Sequence, residues 1–232
     1  MSENYKNKRI GDLEETVKKL FDRIEGIPYY IAIKALSDCD VIPFNPDSDE
    51  KDRELFRSLK DAAHNAGVRA NNNGVYRRRP NEVGNDMEPY VKDALKEFGL
   101  LAETPSTKAG YKKAGGYPDI YLKDEYGRAT YLEVKTYNIE NIGTSQRSFY
   151  FSPPSKKEDI KISEDARHLL ISFQIETRDE RRREQLNCYV PVKWRIYSIY
   201  DMEVSVKHEF NSTNKKMYRD EALLAEGDIP DQ

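Results

Sequence analysis

The stretch from Gly115 to Thr136, GGYPDIYLKDEYGRATYLEVKT, contains the strongest hairpin signal in the chain. Two runs of alternating residues flank a polar turn with a glycine, which is typical of two antiparallel strands joined by a short loop. A three-residue loop over residues 125–127 would use Gly127 for the positive φ that its last position requires. This register predicts that Asp119 lies directly across from Glu133.

Asp119 and Glu133 would then form a close pair of carboxylates on one face of the hairpin. Directly paired residues have Cβ atoms roughly 4.5–5.5 Å apart, and like charges at that distance repel unless a cation lies between them. Lys135, two residues after Glu133, shares the same face because side chains alternate along a strand. Two oxygen ligands and an ammonium group are the minimal equipment for metal-assisted attack of water on a phosphodiester.

The tripeptide pattern acidic-x-Lys is weak evidence alone, because it occurs at 49–51, 133–135 and 159–161. Only the copy at 133–135 lies on a strand-like alternation that a glycine-containing turn joins to a second one. The other two copies lie in highly charged, loop-like surroundings. The context of the pattern therefore favours the hairpin, and the alternative is an ordinary exposed strand face.

The composition predicts a single soluble domain, since 34% of the 232 residues are charged and the mean hydropathy is −0.86. A formal net charge of −3 argues against a uniformly basic nucleic-acid-coating protein but allows a local basic cleft. Cys39 and Cys188 are far apart and have no paired spacing, so a reducing cytoplasm is the expected compartment. No run reaches the length of a membrane span.

Helical periodicity predicts three helices before the hairpin region. They cover residues 12–25, residues 27–36, and a segment that contains Leu55 to Ala66 and ends at Gly67. The arginine-rich stretch 68–80 has no apolar periodicity, which is consistent with a solvated loop or with a segment that contacts phosphates.

A fourth helix is predicted over residues 85–98, and Glu88 lies beside its apolar stripe. Two interpretations of Glu88 remain open. Asn85 and Glu88 have the spacing of a capping box, which would make Glu88 a helix-start residue. Its inward position also fits an active-site carboxylate.

Two further strands are predicted after the hairpin. Residues 168–175 resemble a strand buried on both faces, in which His168 is a core histidine. Residues 187–198 alternate, with Pro191 indicating an edge or a bulge. Helices around a mixed central sheet give an α/β or α+β sandwich.

The two halves of the hairpin, PDIYL and LEVKT, resemble the PD-(D/E)xK nuclease superfamily. Within it the chain is similar to type II restriction endonucleases, with weaker matches in FYFSPPSKK, EDARHLLISF and KHEFNSTNKKMY. The core motif covers only about a tenth of the chain, and the weaker matches about a quarter. The resemblance implies a mixed sheet flanked by helices, with a further acidic residue on a helix before the hairpin, where Glu88 lies.

The resemblance also implies a Mg²⁺ site, in which Mn²⁺ could substitute, formed by Asp119, Glu133 and the carbonyl of Val134. Lys135 would orient or deprotonate the attacking water, more readily if burial lowers its pKa. Glu88 would hold a second metal ion or one of the metal's waters. The expected products carry a 5′-phosphate and a 3′-hydroxyl, and no organic cofactor is implied.

The implied partner is double-stranded DNA, and a homodimer is expected because cutting both strands of a palindrome requires two sites. Polar residues with long side chains outside the hairpin are the candidates for DNA contacts. They are Arg77, Arg78, Arg79, Asn73, Arg147, Arg181, Arg182, Asn211 and Asn214.

The expected organisation is a helical region packed on the core at 1–67, a nuclease core with recognition elements at 68–220, and an acidic, disordered tail at 221–232. Two alternatives to a restriction enzyme stay open. One is a structure-specific nuclease on the same core, such as a junction resolvase or repair nickase, and the other is a non-catalytic DNA-binding module.

Overall fold

A computed structural model of the chain describes residues 3–21, 24–138, 149–153, 156–206 and 221. The chain divides into two compact units, one of residues 27–204 and one of residues 1–26 together with 205–232. Among the described residues, no helix is long and apolar enough to cross a bilayer.

Four α-helices occur in the described residues. They are α1 (Glu3–Phe21), α2 (Tyr29–Ser37), α3 (Glu50–Asn73) and α4 (Val83–Glu97). The strands are β1 (Ile24–Pro28), β2 (Val41–Ile42), β3 (Val75–Arg77), β4 (Leu101–Glu103), β5 (Ile120–Lys123), β6 (Ala129–Tyr137), β7 (Ala166–Thr177), β8 (Asn187–Ser198) and β9 (Glu203–Val206).

The main sheet has seven strands in the order β3-β8-β7-β6-β5-β4, with β2 pairing with the start of β7. Strand β7 is parallel to β6 and to β2, whereas the other pairs of this sheet are antiparallel. Strands β1 and β9 form a separate two-stranded sheet. The predicted mixed sheet with flanking helices is thus confirmed, and the fold is α+β and restriction-endonuclease-like.

One face of the main sheet packs against α3 and α4. Leu132 and Val134 of β6 and Phe173 of β7 join Leu59 and Leu95 of these helices in one buried cluster. Because side chains alternate along a strand, Glu133 and Lys135 must point to the opposite face.

The opposite face is covered by α2 near the starts of β6 and β7. Tyr29 and Ile33 of α2 contact Tyr131, Ile160 and Ile162 in a second buried cluster. On β6 this cluster ends at Tyr131. Glu133 and Lys135 follow on the same face, which we call the functional face, so these two polar residues lie next to a buried apolar cluster.

The predicted strands after the hairpin are confirmed. The run at 168–175 lies within β7, and the run at 187–198 coincides with β8. The register between the two strands shifts at Gln174/Ile175, opposite Pro191, where a bulge or an edge was expected.

The predicted helix boundaries are less accurate. Helix α1 ends at Phe21, and Ile24 and Glu25 belong to β1 instead. Helix α2 begins at Tyr29, after Pro28 has ended that strand.

The prediction that the third helix ends at Gly67 is wrong, because α3 continues to Asn73 and ends at Gly74. A Cβ built on Gly67 would lie 3.4 Å from the ring of Phe173, so this glycine allows close packing of the helix on β7. Gly74 provides the end instead, with a φ of +69°.

Candidate active site

The hairpin of β5 and β6 has the predicted register. Ile120 pairs with Leu132, and Lys123 pairs with Ala129. The loop between them is closed by a hydrogen bond from the Gly127 N–H to the Asp124 carbonyl at 2.9 Å, and Gly127 has a φ of +72°. Continuing the register by one residue from Ile120 brings Asp119 opposite Glu133.

Asp119 lies just before β5, and its side chain reaches across to β6. Its Oδ2 accepts a hydrogen bond of 2.9 Å from the N–H of Val134. The side chain of Val134 is itself only 2% exposed and lies in the core, so its main chain alone can take part in a polar site. The carboxylate of Asp119 is thus hydrogen-bonded to the main chain of β6 at the residue between Glu133 and Lys135.

Glu133 is buried, with 3% of its surface exposed, and its two carboxylate oxygens differ in their partners. Oε1 is 2.5 Å from Nζ of Lys135. Oε2 is buried and has no hydrogen-bond partner among the described residues. A buried oxygen without a partner is costly, and here it marks the side of Glu133 on which a cation would be favourable.

The pKa of Glu133 is raised to about 7 by burial and by the charge of Asp119, and Lys135 offsets them only in part. Two carboxylates this close cannot both be ionised at neutral pH without cost. The pair therefore has the electrostatics of a cation site.

The pKa of Lys135 is raised, not lowered. Burial alone would lower its pKa, as the sequence suggested, but Glu133, Asp119 and Glu88 together raise it. Lys135 therefore faces the carboxylates as a charged ammonium group. This state favours holding a water or a phosphate oxygen over taking a proton.

Glu88 lies in the second turn of α4 and is half-buried. The helix begins at Val83, before Asn85, and its first residue has no side-chain cap. The capping-box interpretation of Glu88 is therefore wrong. The pKa of Glu88 is raised by burial and by Asp119, which places this side chain within electrostatic reach of the hairpin carboxylates.

Within the part of the chain that the structure describes, no three carboxylate, imidazole or thiolate groups lie close enough to hold a metal ion by themselves. Asp119 and Glu133 form a pair, and Glu88 stands further from them. Any ion at this point would complete its shell with main-chain oxygen, water or phosphate.

His168 is buried on the same face of the sheet as Glu133, opposite Tyr131, as expected for a core histidine. Its Nδ1 lies 2.8 Å from the hydroxyl of Tyr29 and 2.7 Å from that of Tyr117. Burial lowers the pKa of His168 to about 3, so the ring is neutral. Tyr117 also precedes Pro118 and Asp119, and this contact supports the segment that leads into the site.

Several predicted DNA-contact residues have partners within the fold. Arg77 makes two hydrogen bonds to Asp86, at 2.7 and 2.6 Å. Arg181 donates to the carbonyls of Asn71 and Asn72 at 2.9 and 2.8 Å, which caps the end of α3. Asn73 donates to the hydroxyl of Tyr90 at 3.1 Å.

The remaining candidates for DNA contact fall into two groups. The side chains of Arg78, Arg79 and Arg182 are exposed. Arg147, Asn211 and Asn214 lie outside the described residues. Of the described candidates, Arg77, Arg181 and Asn73 thus bond to other parts of the fold.

A row of polar residues on the functional face was missed by the sequence analysis. Lys135 pairs with Ser172 of β7, and Ser172 pairs with Arg195 of β8, so the three lie side by side across the sheet. The guanidinium of Arg195 donates to the hydroxyl of Tyr137. In residues 187–198 the alternation itself was visible, but only the strand pairing shows which polar residues share the face of Lys135.

Known proteins match most of this chain. Residues 23–221 match the model of the type II restriction enzyme MjaV family. The chain is 35% identical to the type II restriction enzyme MjaV of Methanocaldococcus jannaschii, over 94% of this chain and 96% of that protein. No solved structure matches it. With most of its length covered by both matches, the chain belongs to the MjaV family of type II restriction enzymes.

Proposed function

We propose that this chain is a Mg²⁺-dependent, sequence-specific DNA endonuclease of the PD-(D/E)xK superfamily. Its active site would consist of Asp119, Glu133 and Lys135, with Glu88 contributing from α4. The family assignment supports the restriction activity, and the paired carboxylates support the metal-dependent chemistry.

The observation that carries the proposal is the state of Glu133. One of its oxygens is paired with Lys135, and the other is buried without a partner in the described part of the chain. With Asp119 opposite and the pKa of Glu133 raised to about 7, a cation would relieve both the repulsion and the missing contact.

The residues present fit a hard divalent cation. Mg²⁺ prefers oxygen ligands, and the site offers the carboxylates of Asp119 and Glu133 and the carbonyl of Val134. Glu88 would act through a second ion or a water molecule, because it lies outside the close pair. When bound, such an ion supplies a Lewis acid that stabilises negative charge on the phosphate.

The protein's own residues have separate roles in this proposal. Asp119 and Glu133 would hold the cation beside β6, and the cation would supply the positive charge that the reacting phosphate needs there. Lys135 keeps its ammonium beside Glu133 and donates a hydrogen bond to the attacking water or to a phosphate oxygen. The products would carry a 5′-phosphate and a 3′-hydroxyl.

The DNA backbone would lie along the face that carries Lys135 and Arg195. Lys193 occupies the next row of this face on β8, opposite Gln174. In the described residues neither Arg195 nor Lys193 pairs with a carboxylate, whereas Arg77 and Arg69 do. Cations that are not paired with a carboxylate can form phosphate contacts, which position the duplex.

We further propose a homodimer in the cytoplasm. Two copies would bring two sites to the two strands of a palindrome. Cys39 and Cys188 are both free and buried, which suits a reducing compartment.

Digestion of a long linear DNA of known sequence tests the proposal. We expect the wild type to produce discrete fragments in Mg²⁺ and to leave the DNA intact in EDTA. The Asp119→Asn variant should leave the DNA intact under both conditions. Cutting restricted to branched or mismatched DNA would instead identify a structure-specific nuclease. Binding of duplex DNA without cutting in Mg²⁺ or Mn²⁺ would identify a non-catalytic module.

A further inference from the structure

Asp119 is the last residue of a long connection, residues 104–119, between β4 and β5. This connection contains no helix or strand apart from an isolated bridge between Ser106 and Lys112. The hairpin holds Asp119 through the start of β5 and through the Val134 N–H, but the residues before Asp119 lie outside its register. A catalytic carboxylate must be held closely to its productive position, so the preceding residues need their own support.

Lys161 provides that support from inside the protein. Lys161 is buried, with only 4% of its surface exposed. Its Nζ donates hydrogen bonds to the carbonyl of Pro118 at 2.7 Å, to that of Ala114 at 3.2 Å, and to that of Gly116. An ammonium group has three protons, so these three carbonyls use all of them.

The contact with Pro118 links Lys161 directly to the active site. The carbonyl of Pro118 belongs to the peptide group that leads into Asp119. A change in the position of this carbonyl would rotate Asp119 relative to Val134 and Glu133.

The main chain around Lys161 is anchored to the same connection. The N–H of Lys108 donates to the carbonyl of Ile160 at 2.8 Å, and the N–H of Ala109 donates to that of Glu158 at 3.0 Å. Ile160 and Ile162, on either side of Lys161, are buried in the cluster with Tyr29. The ammonium group therefore extends from a fixed base.

The charge of Lys161 also faces the acidic centre. Burial lowers the pKa of Lys161, and the charges of Asp119, Glu133 and Glu88 oppose this effect and favour its charged form. A buried cation near three carboxylates lowers their mutual repulsion. Because carbonyl groups occupy all its protons, Lys161 does not act on the substrate itself.

We propose that Lys161 is a positioning residue of the active site, which fixes Asp119 through the Pro118 carbonyl and offsets the negative charge of the metal-binding carboxylates. This inference rests on the proposed function. The simpler interpretation is that Lys161 only stabilises the connection. Of the sequence pattern Asp-Ile-Lys at 159–161, it is Lys161 that contacts the peptide group leading into Asp119.

The test replaces Lys161 by Met, which keeps the length of the side chain and removes its charge and donors. Mn²⁺ alone serves as the probe, and its binding to the DNA-free protein is followed by the loss of the electron paramagnetic resonance signal of the free ion. We expect Lys161→Met to weaken Mn²⁺ binding at least about tenfold, as for partners of metal ligands elsewhere. The kcat for cleavage falls by a similar factor, while KM for DNA stays within about twofold.

Lys108→Met is the matched control. Lys108 also ties this connection to the fold, since its Nζ donates to the Ser37 carbonyl at 2.5 Å. We expect this variant to leave Mn²⁺ binding and kcat within about twofold of the wild-type values. If Lys161→Met lowers the melting temperature but matches Lys108→Met in both readouts, the proposed positioning role is wrong.

Two further variants keep the test decisive. Should Lys161→Met fail to fold, Lys161→Gln keeps two of the three donor protons without the charge, and unchanged Mn²⁺ binding in this variant overturns the inference. Asp119→Asn separates the two proposals. If it binds Mn²⁺ and cuts DNA normally, the proposed function is wrong. If it loses both activities, the proposed site is correct, and the Lys161 variants then decide whether Lys161 positions Asp119.

Discussion

The carboxylate of Asp119 accepts a hydrogen bond from the N–H of Val134 at 2.9 Å, so one strand of the hairpin holds the acid of the other. This bond fixes Asp119 next to Glu133 through the main chain. The opposition of the two acids is therefore a property of the hairpin.

Asp119→Asn should abolish cleavage while preserving the fold. The amide oxygen can still accept from Val134, but the negative charge that binds the cation is lost. We expect kcat/KM for cleavage of a plasmid with one site to fall at least about a hundredfold. The control is Glu125→Gln, which removes an exposed carboxylate from the loop of the same hairpin. Normal cleavage by Asp119→Asn, or a similar loss in Glu125→Gln, would contradict the assignment.

Glu133→Gln should stabilise the protein in EDTA while removing its activity. The pKa of Glu133 is about 7 in the folded chain and near 4.5 in the unfolded one, so the folded state binds more protons between these values. Ionisation therefore lowers stability as pH rises through this window. We expect the variant to be more stable by about 3 kcal/mol at pH 8, with the difference shrinking towards pH 4.5.

Urea unfolding at several pH values measures this difference. Mn²⁺ should raise the melting temperature of the wild type but not of Glu133→Gln, because only the wild type keeps both carboxylates. A variant that is less stable than the wild type at every pH would show that the ion pair with Lys135 outweighs the cost of burying Glu133.

His168 should make the protein less stable in acid. Its pKa is about 3 in the folded chain and near 6.5 in the unfolded one, so its contribution is complete above pH 6.5 and is lost as pH falls towards 3. The loss is about 2 kcal/mol at pH 5. Since Glu133 has the opposite slope, unfolding of Glu133→Gln is compared with that of the double variant that also carries His168→Phe. Parallel pH profiles of these two proteins would exclude His168 as the source.

Arg195→Ala should weaken DNA binding across all sequences. A phosphate contact contributes about one unit to the slope of log affinity against log salt, so the slope should fall by about that amount. Binding is measured in EDTA by fluorescence anisotropy at several salt concentrations. Arg69→Ala is the control, because Arg69 pairs with Glu97 between α3 and α4, which cover the other face of the sheet. Equal changes in both variants would remove Arg195 from the proposed DNA surface.

The local geometry of the site could be predicted from the sequence. The position of Gly127 and the alternation on either side of it determine the register, and both are local properties. Strand β8 was also predictable because its alternation and its proline are visible within residues 187–198. These features depend on neighbours in the chain and not on the rest of the fold.

Features that depend on distant partners could not be predicted. Gly67 looks like a helix stop until Phe173 is placed against it. Arg77 looks like a free cation until Asp86 is found beside it. Lys161 lies far from the hairpin in sequence, and only folding brings its ammonium to the carbonyl of Pro118.

The length of the hairpin loop also constrains the geometry of the active site. This length sets the register in which Asp119 faces Glu133, because a shift of one residue exchanges the two faces of a strand. A glycine inserted after Gly127 should therefore abolish cleavage even though every acidic and basic residue of the site is still present. A chain that keeps the whole motif but has one more residue in this loop is therefore expected to be inactive, so the motif identifies an active site only together with the loop length.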